Sequence, residues 1–343
     1  MWRETTAHAR NLKIWQEEFE GFVPRDVLDF HVHVLNDGVI PAGETFSCAG
    51  HPITHYDLAD LEKDLAKTYP GRRASALVFG FPDPRYDTRR SNAYLAERCD
   101  RTRFFALRLF DPVTDTPEAL AADLRGGRFL GIKPYPDYVR APDINTVEIP
   151  AMLPPWCMEI VDAAGGIVML HIPRKDRLAD PLNQRHIAEL AARYPRAQIV
   201  LAHIGRAYFL KNVRGNLDRI KDLPNVCVDL AMLNNAEVLE HAFGTLDPRR
   251  IVFGTDTPLA LAPGKSIEIN DQYAYVTPVP WTLSIADDRK KLVFTSFLYE
   301  ELRAIRKAVE RLGLGADFLR GLFFDNGMRL IERARGGDSG RVS

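Results

Sequence analysis

Eight short apolar runs, separated by stretches of a different periodicity, constrain the fold of this chain more than any other feature. They fall at residues 28–33, 75–81, 104–110, 129–135, 166–171, 198–203, 226–231 and 250–254. Several are almost uninterrupted, such as Ile167-Val168-Met169-Leu170 and Ile199-Val200-Leu201-Ala202. A strand with one wet face alternates apolar and polar residues, whereas a strand covered on both faces reads like these. Between the runs, apolar residues recur three and four apart. Residues 56–68 place Leu58, Leu61 and Leu65 on one side with Asp and Lys between them. Residues 150–164, 182–194, 206–223 and 236–243 behave similarly. Strand then helix, carried through eight strands, predicts an α/β domain of the (β/α)8 TIM-like barrel type in preference to an open doubly wound sheet.

Three segments exceed a minimal barrel. Residues 1–24 predict an amphipathic helix ending at Pro24. Residues 35–55 and 257–286 predict long loops after strands 1 and 8, the second rich in proline and aromatic residues. Loops that follow strands sit on the face where barrel enzymes do chemistry, so both are read as lids or substrate walls. The expected organisation is an N-terminal helical extension (1–26), a catalytic barrel (27–335) and a disordered tail (336–343).

Charge and composition exclude other classes. The 45 basic and 46 acidic residues are mixed and leave a net charge of −1, without the strongly basic balance that a nucleic-acid partner calls for. No apolar stretch approaches the ~18 residues of a membrane helix, and the N-terminus lacks a basic stretch followed by an apolar run. Cys48, Cys99, Cys157 and Cys227 are far apart and form no CxxC pair. Free thiols in a cytoplasmic protein are the expectation. A homodimer is expected only from the general habit of barrels to pair.

The chemistry-bearing residues collect at the ends of the runs. Asp29-Phe30-His31-Val32-His33 closes the first. Strand alternation puts His31 and His33 on one face, with Asp29 on it one step deeper. Run 5 ends in His171, run 6 in His203, and run 8 is followed by Gly254-Thr255-Asp256. A closed barrel gathers these ends around one pocket. Imidazole and carboxylate together suit a divalent ion, Zn²⁺ first, with Mn²⁺, Fe²⁺ or Ni²⁺ admissible. His186 and His241 fall in predicted helices and are read as structural.

With these motifs in place, the chain resembles the amidohydrolase superfamily, and specifically its amidohydrolase-2 branch of lactone hydrolases and related decarboxylases. The resemblance spans residues 27–335 and rests on Asp-Phe-His-Val-His, Gly131-Ile132-Lys133-Pro134, Leu170-His171, Ala202-His203-Ile204-Gly205, Gly254-Thr255-Asp256 and the segment 324–330. It implies a single metal held by His31, His33, His171 and Asp256. It implies a role for His203 against substrate or catalytic water, or as a ligand if two ions bind. Lys133 falls where binuclear members carry a carboxylated lysine, and one ion with an unmodified Lys133 is the favoured reading.

Hydrolysis of a lactone, ester or amide by an activated water, with Asp256 as general base, is the first expectation. In it His203 donates a hydrogen bond to the developing oxyanion or positions the water. Lys133, with Arg174 and Arg206 three residues beyond two strand-end histidines, would bind a small anionic substrate. Tyr135, Trp156, Tyr275 and Trp281 would wall the pocket. The alternative is a non-oxidative decarboxylase of a cyclic or aromatic carboxylate, and the third reading is a non-catalytic metal-binding barrel.

Overall fold

All eight apolar runs become parallel strands in the computed structural model, which describes residues 7–336. The strands are β1 (Asp26–Val34), β2 (Arg73–Gly80), β3 (Phe104–Ala106 and Arg108–Phe110), β4 (Gly131–Pro134), β5 (Ile167–Leu170), β6 (Gln198–Leu201), β7 (Val226–Asp229) and β8 (Ile251–Val252). β1 pairs with β2, and β2 with the first part of β3. The second part of β3 begins a six-stranded parallel sheet that runs in sequence order to β8. Between the two parts, the Leu107 N–H donates to Val78 O at 2.9 Å. Next to β8, the Phe30 N–H donates to Phe253 O at 2.9 Å and the His33 N–H to Thr257 O at 2.7 Å.

The packing divides by strand face. A smaller apolar cluster takes side chains from around the strands, including Leu28 and Phe30, Phe79, Leu107, Met169, Val200, Cys227 and Val252. Leu330 and Ile331, from the helix Asn326–Ala334, belong to it too. The larger cluster holds the opposite faces, such as Val32, Val78, Ile132, Val168, Ile199 and Val228, packed with the helices. A register irregularity lies between Asp29 and Val32. Leu28 and Phe30 face the inner cluster, yet Val32 and Val34 face the outer one. Alternation therefore inverts at the bulge, as an extra residue must make it do. His31 and His33 stay together on the inner side, but Asp29 does not share their face. Its carboxylate instead accepts the Thr255 N–H at 3.0 Å and the Thr255 hydroxyl at 2.5 Å, tying β1 to the segment after β8.

Helices begin where short polar side chains satisfy their free N–H groups. Asp57 caps Leu58–Thr68, Asp180 caps Pro181–Arg193 and Asn235 caps Ala236–Thr245. The helix expected over 150–164 is broken into Ile149–Met152 and Pro155–Ala164, because Pro154 cannot continue the first piece. The helix expected over 206–223 does not form. Its place is taken by a left-handed turn, the short helix Leu210–Val213 and a 3-10 turn at Leu217–Arg219. The N-terminal segment is an α-helix, Ala7–Ile14, that widens into a π turn at Trp15–Phe19 and stops short of Pro24. The helices Thr88–Arg98, Pro117–Arg125 and Phe297–Leu312 complete the outer layer.

Both long segments after strands are structured. Residues 35–55 contain a hairpin, Phe46–Cys48 against His51–Ile53. Residues 257–286 contain a sheet of Lys265–Ile269, Gln272–Thr277 and Ser284–Ala286. The two meet at Gly50, where a Cβ would stand 2.5 Å from Pro280 O. Of the expected tail, all but Gly336 lies outside the described residues. All four cysteines are buried and none forms a disulfide. No helix among the described residues is long and apolar enough to cross a membrane.

Candidate active site

The strand ends bring His31, His33, His171, His203 and Asp256 together. Asp256 Oδ1 stands 3.2 Å from His33 Nε2 and 3.7 Å from His31 Nε2. Those three residues present one ligand atom each within 4.8 Å of one another. Asp256 has φ of 71°, a left-handed backbone that a non-glycine residue adopts at a cost. Burial works against its charge, but the hydrogen bond with His33 and the nearby His31 and His203 hold its carboxyl below the usual range. It is therefore a carboxylate at neutral pH.

Protein acceptors fix the histidine tautomers. His31 Nδ1 lies 2.9 Å from Asp229 Oδ2, His33 Nδ1 lies 2.9 Å from Gly80 O, and His203 Nδ1 lies 2.9 Å from Ala231 O. For His31 and His203 the acceptor assigns the proton to Nδ1 and leaves the Nε2 lone pair free, the arrangement a ligating or proton-accepting imidazole requires, whereas His33 has an acceptor at each nitrogen, Gly80 O at Nδ1 and Asp256 Oδ1 at Nε2. His31 Nε2 is buried and has no hydrogen-bond partner. Burial also depresses the basicity of His31, His171 and His203, so these rings are neutral and ready to donate a lone pair. His171 stacks on Tyr135 at 4.8 Å and stands edge-on to His203 at 5.3 Å between ring centroids. Its Nδ1 has no partner, and it lies outside the closest ligand groups.

His203 opens an unusual turn. His203, Ile204, Gly205 and Arg206 have φ of 56°, 50°, 63° and 58°, and the N–H groups of Arg206 and Ala207 return to Ala202 O and His203 O. This is one turn of left-handed helix, which costs about 1–2 kcal/mol for each residue other than glycine. A turn repeats its direction after three to four residues, so His203 and Arg206 project the same way. The charge of Arg206 reaches His171 and lowers its basicity further.

Lys133 is fully buried, its Nζ 4.8 Å from the ring centres of both Phe79 and Tyr135 and without a hydrogen-bond partner. Burial pulls its pKa down to about 7, against the opposing pull of Asp229 and Asp256. Arg206 donates to Ile172 O at 3.2 Å. Arg174 is paired with Asp180 at 2.8 Å. Of the expected aromatic walls, Tyr135 faces His33 and His171, Tyr275 packs on Trp281 at 5.2 Å, and Trp156 packs on Phe110 at 5.6 Å. The remaining loop histidines lie elsewhere: His51 starts a hairpin strand, and His55 bridges Asp37, Asp57 and Asp60.

Sequence reasoning passed over Asp229. Its Oδ1 accepts the His203 N–H at 2.7 Å and the Ala231 N–H at 3.1 Å, while Oδ2 holds His31. The signal was a carboxylate at the end of the apolar run Val226-Cys227-Val228. It also passed over Arg177, Tyr208 and Tyr273, which meet one another from three separate connections.

The donor set fits a divalent metal on this geometry: inward lone pairs, one carboxylate among them, and a buried nitrogen with no other partner. The amidohydrolase-2 family model, described as "Amidohydrolase", matches residues 28–324. The chain belongs to this amidohydrolase family. No curated protein matches the sequence. Solved structures do resemble it. A zinc-bound amidohydrolase from Burkholderia multivorans has a TM-score of 0.58 at 16% identity, covering 89% of this chain and 98% of that one. A probable 2-pyrone-4,6-dicarboxylic acid hydrolase from Acinetobacter baumannii, with citric acid bound, gives 0.56 at 12% identity over 89% and 98%. The 5-carboxyvanillate decarboxylase of Sphingomonas paucimobilis gives 0.54 at 14% identity over 90% and 99%. At these identities the likeness concerns the fold.

Proposed function

We propose that this chain is a metal-dependent hydrolase of a small carboxylate-bearing lactone, ester or amide, built on a closed (β/α)8 barrel. The carrying observation is the buried, partnerless Nε2 of His31 beside Asp256 and His33. Closure of the barrel is supported by the Leu107–Val78 and Phe30–Phe253 hydrogen bonds and by the inner cluster collected around the strands. His31, His33, His171 and Asp256 would hold one ion, with Zn²⁺ the best match to three imidazoles and a carboxylate. The zinc-bound neighbour supports that choice. The four buried cysteines, none of them in a disulfide, fit a reducing compartment such as the cytoplasm.

When bound, such an ion polarises a carbonyl and lowers the pKa of a neighbouring water toward ~7. The protein's own groups do the rest. Asp256, kept ionised, accepts the water proton and returns it to the leaving group. His203, neutral with its proton on Nδ1, offers Nε2 as an acceptor. It therefore orients the water rather than donating to the oxyanion, and donates only after it has taken a proton. Lys133, a buried amine without an acceptor, pairs with the substrate carboxylate, and Arg206, whose charge like that of Lys133 reaches His171, adds to the positive field there. Tyr135 covers His33 and His171 and excludes bulk water.

Metal analysis of the purified protein, followed by turnover of a panel of lactones, cyclic amides and aromatic carboxylates, tests this reading. The expected result is chelator-sensitive hydrolysis with solvent oxygen in the product, reduced at least ~10²-fold by Asp256→Asn. Release of CO2 without incorporation of water would establish the second reading, decarboxylation, which the decarboxylase neighbour favours.

A further inference from the structure

Arg177 takes no part in the chemistry above, yet it is placed like a ligand-binding group. It opens the 3-10 turn Arg177–Ala179 beyond β5, with φ of 57°. Its guanidinium carbon lies 4.6 Å from the ring centre of Tyr273 and 5.5 Å from that of Tyr208. Nη2 donates to the Tyr273 hydroxyl at 3.0 Å. Nη1 is buried and has no acceptor. Among the described residues no carboxylate forms an ion pair with Arg177 or with Arg206, although Arg174, close by in sequence, is paired with Asp180.

Buried guanidinium groups are normally paired, because their N–H donors lose water without replacement. Here two half-buried guanidinium groups, one with a buried Nη1, face the same aromatic group of Tyr208, Tyr273 and Tyr275. Like charges in one place repel each other unless an anion joins them. Tyr208 lies between Arg177 and the metal centre, 5.8 Å from the ring of His203. On the other side, Arg177 and Tyr273 line a cleft of about 730 Å³ that also carries Lys175, Lys211, Asp176 and Asp271. Lys211 is matched there by Asp271 at 3.4 Å, and Lys175 is exposed to solvent, whereas Arg177 Nη1 is withdrawn from solvent and has no acceptor.

We propose that Arg177, supported by Arg206, forms an outer oxyanion subsite that takes a second negatively charged group of the substrate. The inference rests on the function proposed above and adds that the substrate is a dianion long enough to pass Tyr208. The planar fork of Arg177, oriented by two tyrosine rings, suits a carboxylate approached side-on. Tyr273 is supplied by the sheet inserted after β8, so this insertion sets the specificity for the outer group.

The test uses the full chain loaded with Zn²⁺ and, as probes, α,ω-dicarboxylates of increasing length beside monocarboxylates of matching length, followed by calorimetry. One dicarboxylate length is expected to bind about tenfold more tightly than its monocarboxylate match, a margin near 1.4 kcal/mol. Arg177→Gln should abolish that margin and leave monocarboxylate binding unchanged. Tyr273→Phe, which keeps the ring and drops the hydroxyl, should reduce it in part. A margin absent at every length, or one that survives Arg177→Gln, overturns the subsite while metal-dependent monocarboxylate binding still supports the inner site. Failure of all carboxylates to bind, or binding indifferent to metal, overturns the inner-site reading and this inference with it.

Discussion

His31 Nδ1 lies 2.9 Å from Asp229 Oδ2, and this contact decides which nitrogen of His31 faces the candidate metal site. The same carboxylate holds the backbone N–H groups of His203 and Ala231. One side chain on β7 thus orients the proposed ligand His31 on β1 and the start of the left-handed turn after β6. Asp229→Ala is expected to weaken metal binding by about 10–100-fold, the usual effect of removing a partner that orients a ligand. It should also destabilise the fold by about 1–3 kcal/mol, since two buried N–H groups lose their acceptor. Competition against a chelator of known affinity reads the first effect and denaturant unfolding the second. Unchanged metal affinity would show that His31 does not ligate through Nε2.

Lys133 gives the protein a particular pH dependence. Its pKa is about 7 in the folded chain, against an ordinary 10.5. Between those values the unfolded chain carries the extra proton, so stability rises with pH across that window. Below pH 7 the lysine is charged in both states and the burial penalty is present in full. Lys133→Met should therefore flatten the rise of melting temperature between pH 7 and 9 in metal-free protein. It should also be the more stable variant near pH 6, by more than about 1 kcal/mol. Parallel melting curves for the two proteins across this range would refute the assignment.

The strand ends were readable because two simple periodicities carry them. Uninterrupted apolar runs marked β1 to β8, and polar residues terminating those runs marked His31, His33, His171, His203 and Asp256. Asp29 was assigned to the wrong face because a bulge is a tertiary event: nothing in Asp29-Phe30-His31 announces that alternation inverts there. The segment 206–223 read as a helix because periodicity does not report the sign of φ, and only Gly205 hinted at a left-handed turn. Arg177, Tyr208 and Tyr273 lie on three different connections, and their convergence depends on how the insertion at 257–286 folds back. Local pattern records which face a residue prefers; it does not record how long connections meet.

Gly254 tests how tightly the end of β8 packs against β1. A Cβ there would stand 2.8 Å from His31 Cβ and 3.2 Å from His31 N. Its φ is not in the left-handed region, so any cost of substitution arises from space alone. Gly254→Ala is expected to cost about 1–3 kcal/mol and to weaken metal binding, because β1 must move. Gly244, late in the helix Ala236–Thr245, has nothing within 4 Å of its would-be Cβ. Gly244→Ala should instead stabilise by up to about 1 kcal/mol. Equal effects at both glycines, read by chemical denaturation, would contradict the packing seen at His31.

His203 separates one bound ion from two. In the single-ion reading its Nε2 orients water and touches no metal. His203→Asn retains a donor for Ala231 O, the role now played by Nδ1, and removes the inward lone pair. The structure should survive within about 1 kcal/mol, since the replacement keeps the buried carbonyl satisfied. Turnover should fall by ~10²–10⁴-fold, the range for loss of a positioned proton acceptor. Metal content should stay at one ion per chain, and chelator resistance should match the parent. If instead His203→Asn loses an ion stoichiometrically, His203 is a ligand, and Lys133 must then be re-examined as a bridging group between two metals. Elemental analysis and turnover measured on the same preparation distinguish these outcomes, because a positioning residue changes rate alone whereas a ligand changes rate and occupancy together.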